Sequence, residues 1–312
     1  MINNDKGKEI KIKISKNNSD DSVAMETEEV GASLPTSAKK KFFSFEKLSA
    51  LIFYAIVFLM PIFALPLVVA PIASGKAIVF YCGIFLAVMF FILSAIRKGS
   101  VNIPKSALLA SSGAVALIWL VSSLFSGNIG LSLVGKLYDT DTFVLILTSF
   151  LSLFLGSMIF QSEKRAIVFY LTLFCSAVVV FLFQFFHIVF GINIIPFNIF
   201  PQKTSNLIGS WNDFSIFFGL MGVLALAFLE TSKIGKKTKF FLYIILLMSF
   251  LVMITSNFLN NWIIFGVFSL FVFIITLIKS RFANVSISRK FLKVSFFAIT
   301  IALFFVLFRG TE

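Results

Sequence analysis

The sequence is poor in charged residues. Asp, Glu, Lys and Arg make up 13% of its 312 residues, whereas about 25% is usual in soluble globular domains. Hydrophobic residues make up 59%, with 43 Phe among them, and they stand in long runs. A helix needs about 20 apolar residues to cross the hydrocarbon core of a bilayer. The scarcity of charge therefore excludes an ordinary soluble domain, and the long runs predict an all-α fold, a polytopic bundle of transmembrane helices.

Residues that bind metals are also scarce. The chain has one histidine, His187, and two cysteines, Cys82 and Cys175, whereas a structural zinc site is usually tetrahedral with Cys and His ligands. We therefore expect no metal site and no cofactor. The cysteines lie in separate apolar runs at different depths, and a disulfide requires Cα atoms within about 7 Å of each other. We expect two free, buried thiols.

Charged residues are missing from the centres of the apolar runs. Ionisable groups inside a bilayer usually mark ion pathways, proton relays or voltage sensors. Their absence counts against proton-coupled transport and against ion conduction.

The apolar runs predict nine membrane-spanning helices. Pro61 and Pro66 are expected to kink the first of them, and small residues such as Gly219 and Gly222 allow close helix approach. The predicted spans are Leu48–Ala70, Ala77–Ile96, Ala107–Phe125, Thr142–Phe160, Ala166–Phe190, Asp213–Leu229, Phe240–Ile254, Leu259–Ile278 and Leu292–Phe308.

Basic residues set the predicted orientation, because Lys and Arg are enriched in cytoplasmic loops. With the N-terminus inside, the cytoplasmic loops carry fourteen basic residues and the outer side carries four. The inner ones are Arg97, Lys98, Lys105, Lys164, Arg165, Lys233, Lys236, Lys237, Lys239, Lys279, Arg281, Arg289, Lys290 and Lys293. The outer ones are Lys76, Lys136, Lys203 and Arg309. This placement predicts an inner N-terminus, an outer C-terminus and anionic lipid, rather than nucleic acid, as the partner of the basic charge.

The first 41 residues differ from the rest of the chain. They are polar and almost free of aromatic residues, so they cannot bury enough apolar surface to offset their chain entropy. We predict a disordered cytoplasmic tail over residues 1–41 and a transmembrane helical domain over residues 42–312.

Candidate binding residues follow the third predicted helix. In this outer loop Lys136 offers a cation to phosphate, Tyr138 can stack on a sugar or anchor at the interface, and Asp139 lies beside them. The alternative is a solvated loop in which Asp141 caps the fourth predicted helix.

The longest outer loop, Gly191–Asn212, is still apolar, and we expect it to lie in the interface or to fold back over the bundle. Trp211 suits the aromatic belt at the membrane surface. Asn212 or Asp213 suits the N-terminus of the sixth predicted helix. These three residues are candidates for the polar lining of a site that is open to the outside.

Two further outer positions carry polar groups. His187 lies about one turn from the outer end of its predicted helix, where a general base could reach the head group of a lipid-linked substrate; a purely amphipathic role is the alternative. The turn between the seventh and eighth predicted helices is rich in amides, and Asn257, Asn260 and Asn261 are candidates for substrate contact.

With these features the chain resembles the integral-membrane O-antigen ligase and O-antigen polymerase family. Ser122–Ser126, which leads into the loop Gly135–Tyr138, carries part of the likeness. Gly209–Asp213 is similar to the Gly-Asn-Pro-Asn element that begins a helix at the outer face in the family. Thr255–Trp262 stands where the family has a Ser-Arg-Gly turn.

The resemblance implies a role in cell-surface glycan assembly. Members of the family transfer glycans from polyprenyl diphosphate on the outer face of the bacterial inner membrane, without a metal or a nucleotide. The chain would then be a multi-pass inner-membrane ligase or polymerase, with Lys136, Asp213 and Arg309 in contact with substrate. Outward cations suit the diphosphate.

Two differences from the family pattern qualify this expectation. Asn257 stands where the family turn has Arg. The family's large external loop, with its Arg and His, would follow the last predicted helix, where this sequence ends. We therefore expect the sequence to correspond to the first two thirds of such an enzyme and to be inactive alone. A multi-pass transporter for small or lipidic molecules and a non-catalytic membrane assembly subunit remain open as alternatives.

Overall fold

A computed structural model describes residues 45–64, 72–99, 104, 106–136, 139, 141–191, 202–231, 234–282 and 289–308. The predicted disordered tail lies outside these residues, as do the candidates Tyr138 and Arg309. Within the described ranges the chain forms helices and turns but no β-strand.

The helices follow the apolar runs of the sequence. In chain order they are α1 (Phe45–Ile62), α2 (Ile72–Lys98), α3 (Ala107–Leu124), α4 (Ile129–Leu133), α5 (Phe143–Ile159), α6 (Glu163–Phe190), α7 (Trp211–Thr231), α8 (Lys236–Ser256), α9 (Leu259–Phe282) and α10 (Arg289–Leu307).

Seven of these helices, α1, α2, α3, α6, α7, α8 and α9, contain segments long and apolar enough to cross a membrane. Helix α5 and the apolar part of α10, Leu292–Leu307, are shorter. The protein is therefore a multi-pass helical membrane protein, and the count of nine spans stays a prediction.

The first two helices differ from their predicted bounds. Helix α1 ends at Ile62, immediately after Pro61, so the expected kink at this proline coincides with the end of the helix; Pro66 lies outside the described residues. Helix α2 begins at Ile72 rather than at Ala77. A lysine near the start of an apolar run predicts a later start, but Lys76 lies within α2 and its side chain is buried in the protein.

The loop after α3 contains a helix that the sequence pattern did not predict. This short helix, α4, begins at Ile129, and the side chain of its N-cap residue, Asn128, accepts a hydrogen bond from the Leu131 amide at 3.3 Å. The alternative prediction, that Asp141 caps the fourth predicted helix, is wrong, because the N-cap residue of α5 is Thr142.

Helices that follow one another in the chain pack as antiparallel pairs, and the most extensive contacts join α7 to α8, α1 to α2 and α9 to α10. Helix α6 packs on α1 in the parallel direction, because Glu46 and Arg165, which form an ion pair, both lie near the starts of their helices. Helix α5 packs on α3. Glycine permits the close approach of α7: a Cβ atom on Gly222 would lie 2.9 Å from the Phe265 ring and 3.1 Å from Ser249 Cβ, and one on Gly219 would overlap the Asn261 amide. The expectation that these two glycines serve helix packing is confirmed.

Cys82 and Cys175 are free, as predicted, but the prediction that they are buried is wrong. Both side chains are exposed on the surface of the bundle. The helices are apolar on all sides, so hydrophobicity alone does not distinguish the face that meets lipid from the face that meets protein.

The ion pairs in the described part of the chain lie at one end of the bundle. Glu46 at the start of α1 pairs with Lys98 at the end of α2 and, at 3.2 Å, with Arg165 near the start of α6. Glu230 at the end of α7 pairs with Lys279 near the end of α9, also at 3.2 Å. These are the helix ends for which the basic residues predict a cytoplasmic position.

Labelling of engineered cysteines tests this orientation. In a chain with Cys82 and Cys175 replaced by serine, we expect a membrane-impermeant maleimide to modify Thr204→Cys in intact cells. Lys164→Cys is expected to react only after the membrane is permeabilised. Both positions are exposed, so access depends on the side of the membrane. Reaction of Lys164→Cys alone in intact cells would mean that the orientation is inverted.

Candidate functional site

The opposite end of the bundle carries a polar loop, residues 202–210, that is closed around one asparagine. Asn206 is fully buried. Its amide nitrogen donates to the carbonyl oxygens of Thr204 and Ser210 at 3.1 and 3.3 Å. Its side-chain oxygen accepts from the amides of Ile208 and Gly209 at 2.9 and 3.0 Å. One side chain therefore satisfies four backbone groups and fixes the shape of the loop.

Helix α6 holds this loop against the bundle. Gln184 Nε2 donates to the Lys203 carbonyl at 2.9 Å, and His187 Nε2 donates to the Gln202 carbonyl at 3.0 Å. Both side chains are buried, and the His187 ring stacks on Phe183 with the ring centroids 6.1 Å apart. The described part of this loop folds back over the bundle, which is one of the two predicted placements, and one imidazole nitrogen of His187 serves that attachment.

Helix α7 begins with a reciprocal pair of hydrogen bonds. Ser210 Oγ accepts from the Asp213 amide at 3.1 Å, and Asp213 Oδ2 accepts from the Ser210 amide at 3.1 Å and from its hydroxyl at 2.7 Å. This is a capping box, which satisfies amides that lack partners within the helix. Asp213 therefore lies at the helix N-terminus as predicted. Trp211 stacks on Phe214 with centroids 5.4 Å apart, and Asn212 is exposed.

A second polar cluster joins α7, α8 and α9 beneath this loop. Asn261 Nδ2 donates to the carbonyl and to the hydroxyl oxygen of Ser215 at 2.7 and 2.8 Å. Ser256 Oγ donates to Ser215 Oγ at 2.6 Å. Asn261 is buried, so this predicted site residue links three helices and its amide nitrogen is engaged.

Asn257 ends α8 in the left-handed conformation, with φ of 46°. Its amide donates to the Met253 carbonyl at 3.0 Å. Asparagine adopts this conformation more readily than most residues, which gives a structural reason for an Asn where the resemblance would place an Arg. Asn257 and Asn260 are both exposed at the end of the bundle that carries the 202–210 loop.

Lys136 and Asp139 form a separate group. The Lys136 amide donates to Asp139 Oδ2 at 2.9 Å, and the Asp139 amide donates to the Lys136 carbonyl at 2.9 Å. The turn also contains Gly135 with φ of 77°. It connects α4 to α5, and α4 packs on α3 and α5, whereas the 202–210 loop is attached to α6. The predicted site residues thus fall into two groups.

An apolar groove of about 270 Å³ lies between α6, α7 and α8. Trp211 is the first residue of α7 and Thr255 lies in the last turn of α8, so the groove reaches the end of the bundle that carries the polar loop. Gln184 also lines it, and its side-chain oxygen is buried without a hydrogen-bond partner. Apolar residues complete the lining: Phe181, Phe185, Ile188, Val189, Phe214, Leu251 and Val252.

Three residues that hold this end of the bundle together were not among the predicted site residues: Gln184, Asn206 and Ser215. One signal was available for Gln184, because it lies one helical turn from His187 in an otherwise apolar run. Residues three apart on a helix share a face. Asn206 and Ser215 had no comparable pattern, since their partners are set by the fold.

No protein-family model matches the chain, and comparisons with curated proteins and with solved structures found no match. The likeness to O-antigen ligases and polymerases therefore rests on the short motifs of the sequence. The geometry of the end that carries the 202–210 loop is the independent basis for a functional proposal.

Proposed function

We propose that the protein binds a lipid-linked substrate at the outer surface of a bacterial inner membrane, and that this substrate is a glycan on polyprenyl diphosphate. The observation that carries the proposal is the apolar groove between α6, α7 and α8, which ends beside a polar loop. A long amphiphile needs both parts: apolar lining for its chain and polar groups for its head.

The groove suits an isoprenoid or acyl chain. Phe185, Ile188 and Leu251 line it and are also exposed on the surface of the bundle, where they meet lipid. A chain that lies there contacts apolar side chains on one side and the bilayer on the other. Small-molecule sites are typically concave and apolar with a few polar groups that fix orientation, and Gln184, Trp211 and Thr255 supply such groups here.

The motifs of the sequence favour a glycan head group. Gly209–Asp213, which resembles the helix-starting element of O-antigen ligases and polymerases, begins α7 through the capping box of Ser210 and Asp213. In this proposal Lys136 and Arg309 are outer cations for the diphosphate, and Asn212 and Asp213 contact the sugar. The activity is that of a ligase or polymerase of cell-surface glycans, with anionic lipid against the inner basic residues.

Deletion of the coding sequence in its host tests the proposal. We expect the size distribution of surface glycans to change and the native protein, expressed in trans, to restore it. Leu251→Trp, which fills the groove, is expected not to restore it. The matched control is Leu247→Trp, one turn away on α8, which is 60% exposed and lies outside the groove.

Three results would replace the proposal. Surface glycan that is unchanged by the deletion would contradict a role in glycan assembly. Uptake of a small molecule into proteoliposomes that contain the purified protein would favour a transporter. Stable co-purification with a glycan enzyme, together with restoration by Leu251→Trp, would favour an assembly subunit.

A further inference from the structure

Lys76 is a buried cation in the first turns of α2. Its side chain is 9% exposed, and its ammonium group donates to the Pro61 carbonyl at 3.2 Å. A lysine ammonium has several N–H groups to donate, and the described part of the chain gives this one a single acceptor. Lysine is among the residues that are seldom buried unless they are paired.

No carboxylate in the described part of the chain neutralises this charge. Among the described residues, Lys76 forms no salt bridge, and the acidic side chains that do form salt bridges, Glu46 and Glu230, lie at the opposite end of the bundle. The segment that joins α1 to α2, residues 65–71, contains no acidic residue in its sequence. A buried charge without a counter-charge is costly, so an anion from outside the chain would stabilise it.

The start of α2 offers a second group to an anion. Ser74, in the first turn, is 4% exposed, and its hydroxyl is buried without a hydrogen-bond partner. The first amides of a helix also lack partners within the helix, and they carry a partial positive charge that attracts phosphate. Ammonium, hydroxyl and helix N-terminus all favour the same kind of ligand.

The position of this turn agrees with a lipid head group. Ile62 and Ala64 after Pro61, and Ile72 at the start of α2, pack against the hydrophobic cluster of α6, α7 and α8. Leu207 of the polar loop belongs to that cluster. The junction of α1 and α2 therefore shares a core with the loop that closes the outer end.

We propose that Lys76, with Ser74 and the first turn of α2, binds the phosphate of an anionic head group at the outer end of the bundle. The inference deepens the proposed function and rests on it for the identity of the ligand, a polyprenyl diphosphate. In this inference Lys76 supplies a further ammonium group for the diphosphate, in addition to Lys136 and Arg309.

Binding of farnesyl diphosphate to the full chain in a neutral detergent tests the site. We expect Lys76→Gln to bind this probe at least about tenfold more weakly than the native protein, because the charge-assisted hydrogen bond is lost. Lys164→Gln is the control: it removes one positive charge from an exposed position at the end of the bundle away from the proposed site, and its affinity is expected to stay within about twofold. Farnesol, which lacks the diphosphate, is expected to bind all three proteins equally weakly.

Thermal unfolding keeps the test decisive if Lys76→Gln binds poorly for reasons of folding. Lys76→Met removes a buried charge that has no counter-charge, so without ligand it is expected to melt at or above the temperature of the native protein. Farnesyl diphosphate is expected to raise the melting temperature of the native protein and of Lys164→Gln, but not that of Lys76→Met. Ser74→Ala is expected to weaken binding severalfold, and Lys76→Arg to retain most of it.

The outcomes separate the possible sources of the anion. Competition by inorganic diphosphate that depends on Lys76 would support the site with a free anion as its ligand, whereas Lys76-dependent binding of farnesyl diphosphate alone would support a lipid head group. Equal binding by Lys76→Gln and the native protein, or equal loss in Lys164→Gln, would overturn the inference and leave Lys76 as a cap for the end of α1. Lys76-dependent binding together with unchanged surface glycan after deletion would contradict the proposed function and not this site.

Discussion

Replacement of Gly219 by alanine is expected to destabilise the protein by about 2–3 kcal/mol. The added methyl group would overlap the side-chain amide of Asn261, which would have to move away. Asn261 would then lose its bonds to the carbonyl and hydroxyl of Ser215, at 2.7 and 2.8 Å. The three helices joined by this cluster would separate at their outer ends.

The steric term outweighs the other two contributions. Overpacking of a close-packed interior costs about 1–3 kcal/mol, and interhelical hydrogen bonds in membrane proteins are worth about 0.6 kcal/mol each on average. Alanine is a better helix former than glycine by about 1 kcal/mol, which offsets part of the loss. The result is a net destabilisation, whereas helix propensity alone would predict that alanine stabilises the protein.

Unfolding of the purified protein in mixed detergent micelles measures this effect. Gly130→Ala is the control, because a Cβ atom there would meet nothing closer than an Asn128 oxygen at 3.9 Å, and it is expected to be neutral or slightly stabilising. The double variant Gly219→Ala with Asn261→Ala relieves the overlap, so its destabilisation should be less than the sum of the two single effects. Strict additivity, or a Gly219→Ala protein as stable as the native one, would show that the two helices do not approach closely here.

Release of the 202–210 loop is the second large effect that we expect. In the double variant Gln184→Leu with His187→Phe, both side-chain bonds from α6 to the loop are lost, while an aromatic ring still stacks on Phe183. Each such bond contributes about 1 kcal/mol. A loss of about 2 kcal/mol in the free energy of local opening corresponds to roughly thirtyfold faster opening-limited exchange, since about 1.4 kcal/mol is tenfold.

Hydrogen–deuterium exchange of the loop peptide measures this opening. The amides of Ile208 and Gly209 donate to Asn206, and in the double variant they are expected to exchange roughly thirtyfold faster than in the native protein. Phe190→Leu is the matched control on the same helix end, because Phe190 is 60% exposed and has no bond to the loop in the described structure. If the double variant exchanged at the native rate, the internal bonds of Asn206 alone would be sufficient to hold the loop.

The helices could be predicted from the sequence because each long apolar run carries its own signal. Helix α9, for example, begins at the predicted Leu259, since a short polar turn separates it from α8. The predicted start of α2, Ala77, is later than the observed start, Ile72, because a lysine at the edge of an apolar run is typical of a loop. A lysine that is buried within the protein gives no signal of its burial in a single sequence.

The site could be predicted only in part, for a related reason. Asp213 was correctly placed at a helix N-terminus, because the capping box is local in sequence. His187 is predicted as a polar residue near the outer surface, and it bonds to the backbone carbonyl of Gln202. Every residue has such a carbonyl, so the sequence does not indicate which one His187 contacts. Hydrogen bonds from side chains to distant backbone groups leave no pattern in the sequence, so Gln184 and Ser215 were missed.

The unequal chemistry of the two ends has a consequence for the response of the bundle to ionic strength. One end is fastened by the ion pairs of Glu46 and Glu230, which are partly exposed, and mobile ions screen such pairs over about 8 Å at physiological salt. The other end is fastened mainly by amides, hydroxyls and carbonyls, whose bonds depend little on dissolved ions. A rise in salt will therefore loosen the ends of α1, α2 and α6 near Glu46 first, while the 202–210 loop stays closed.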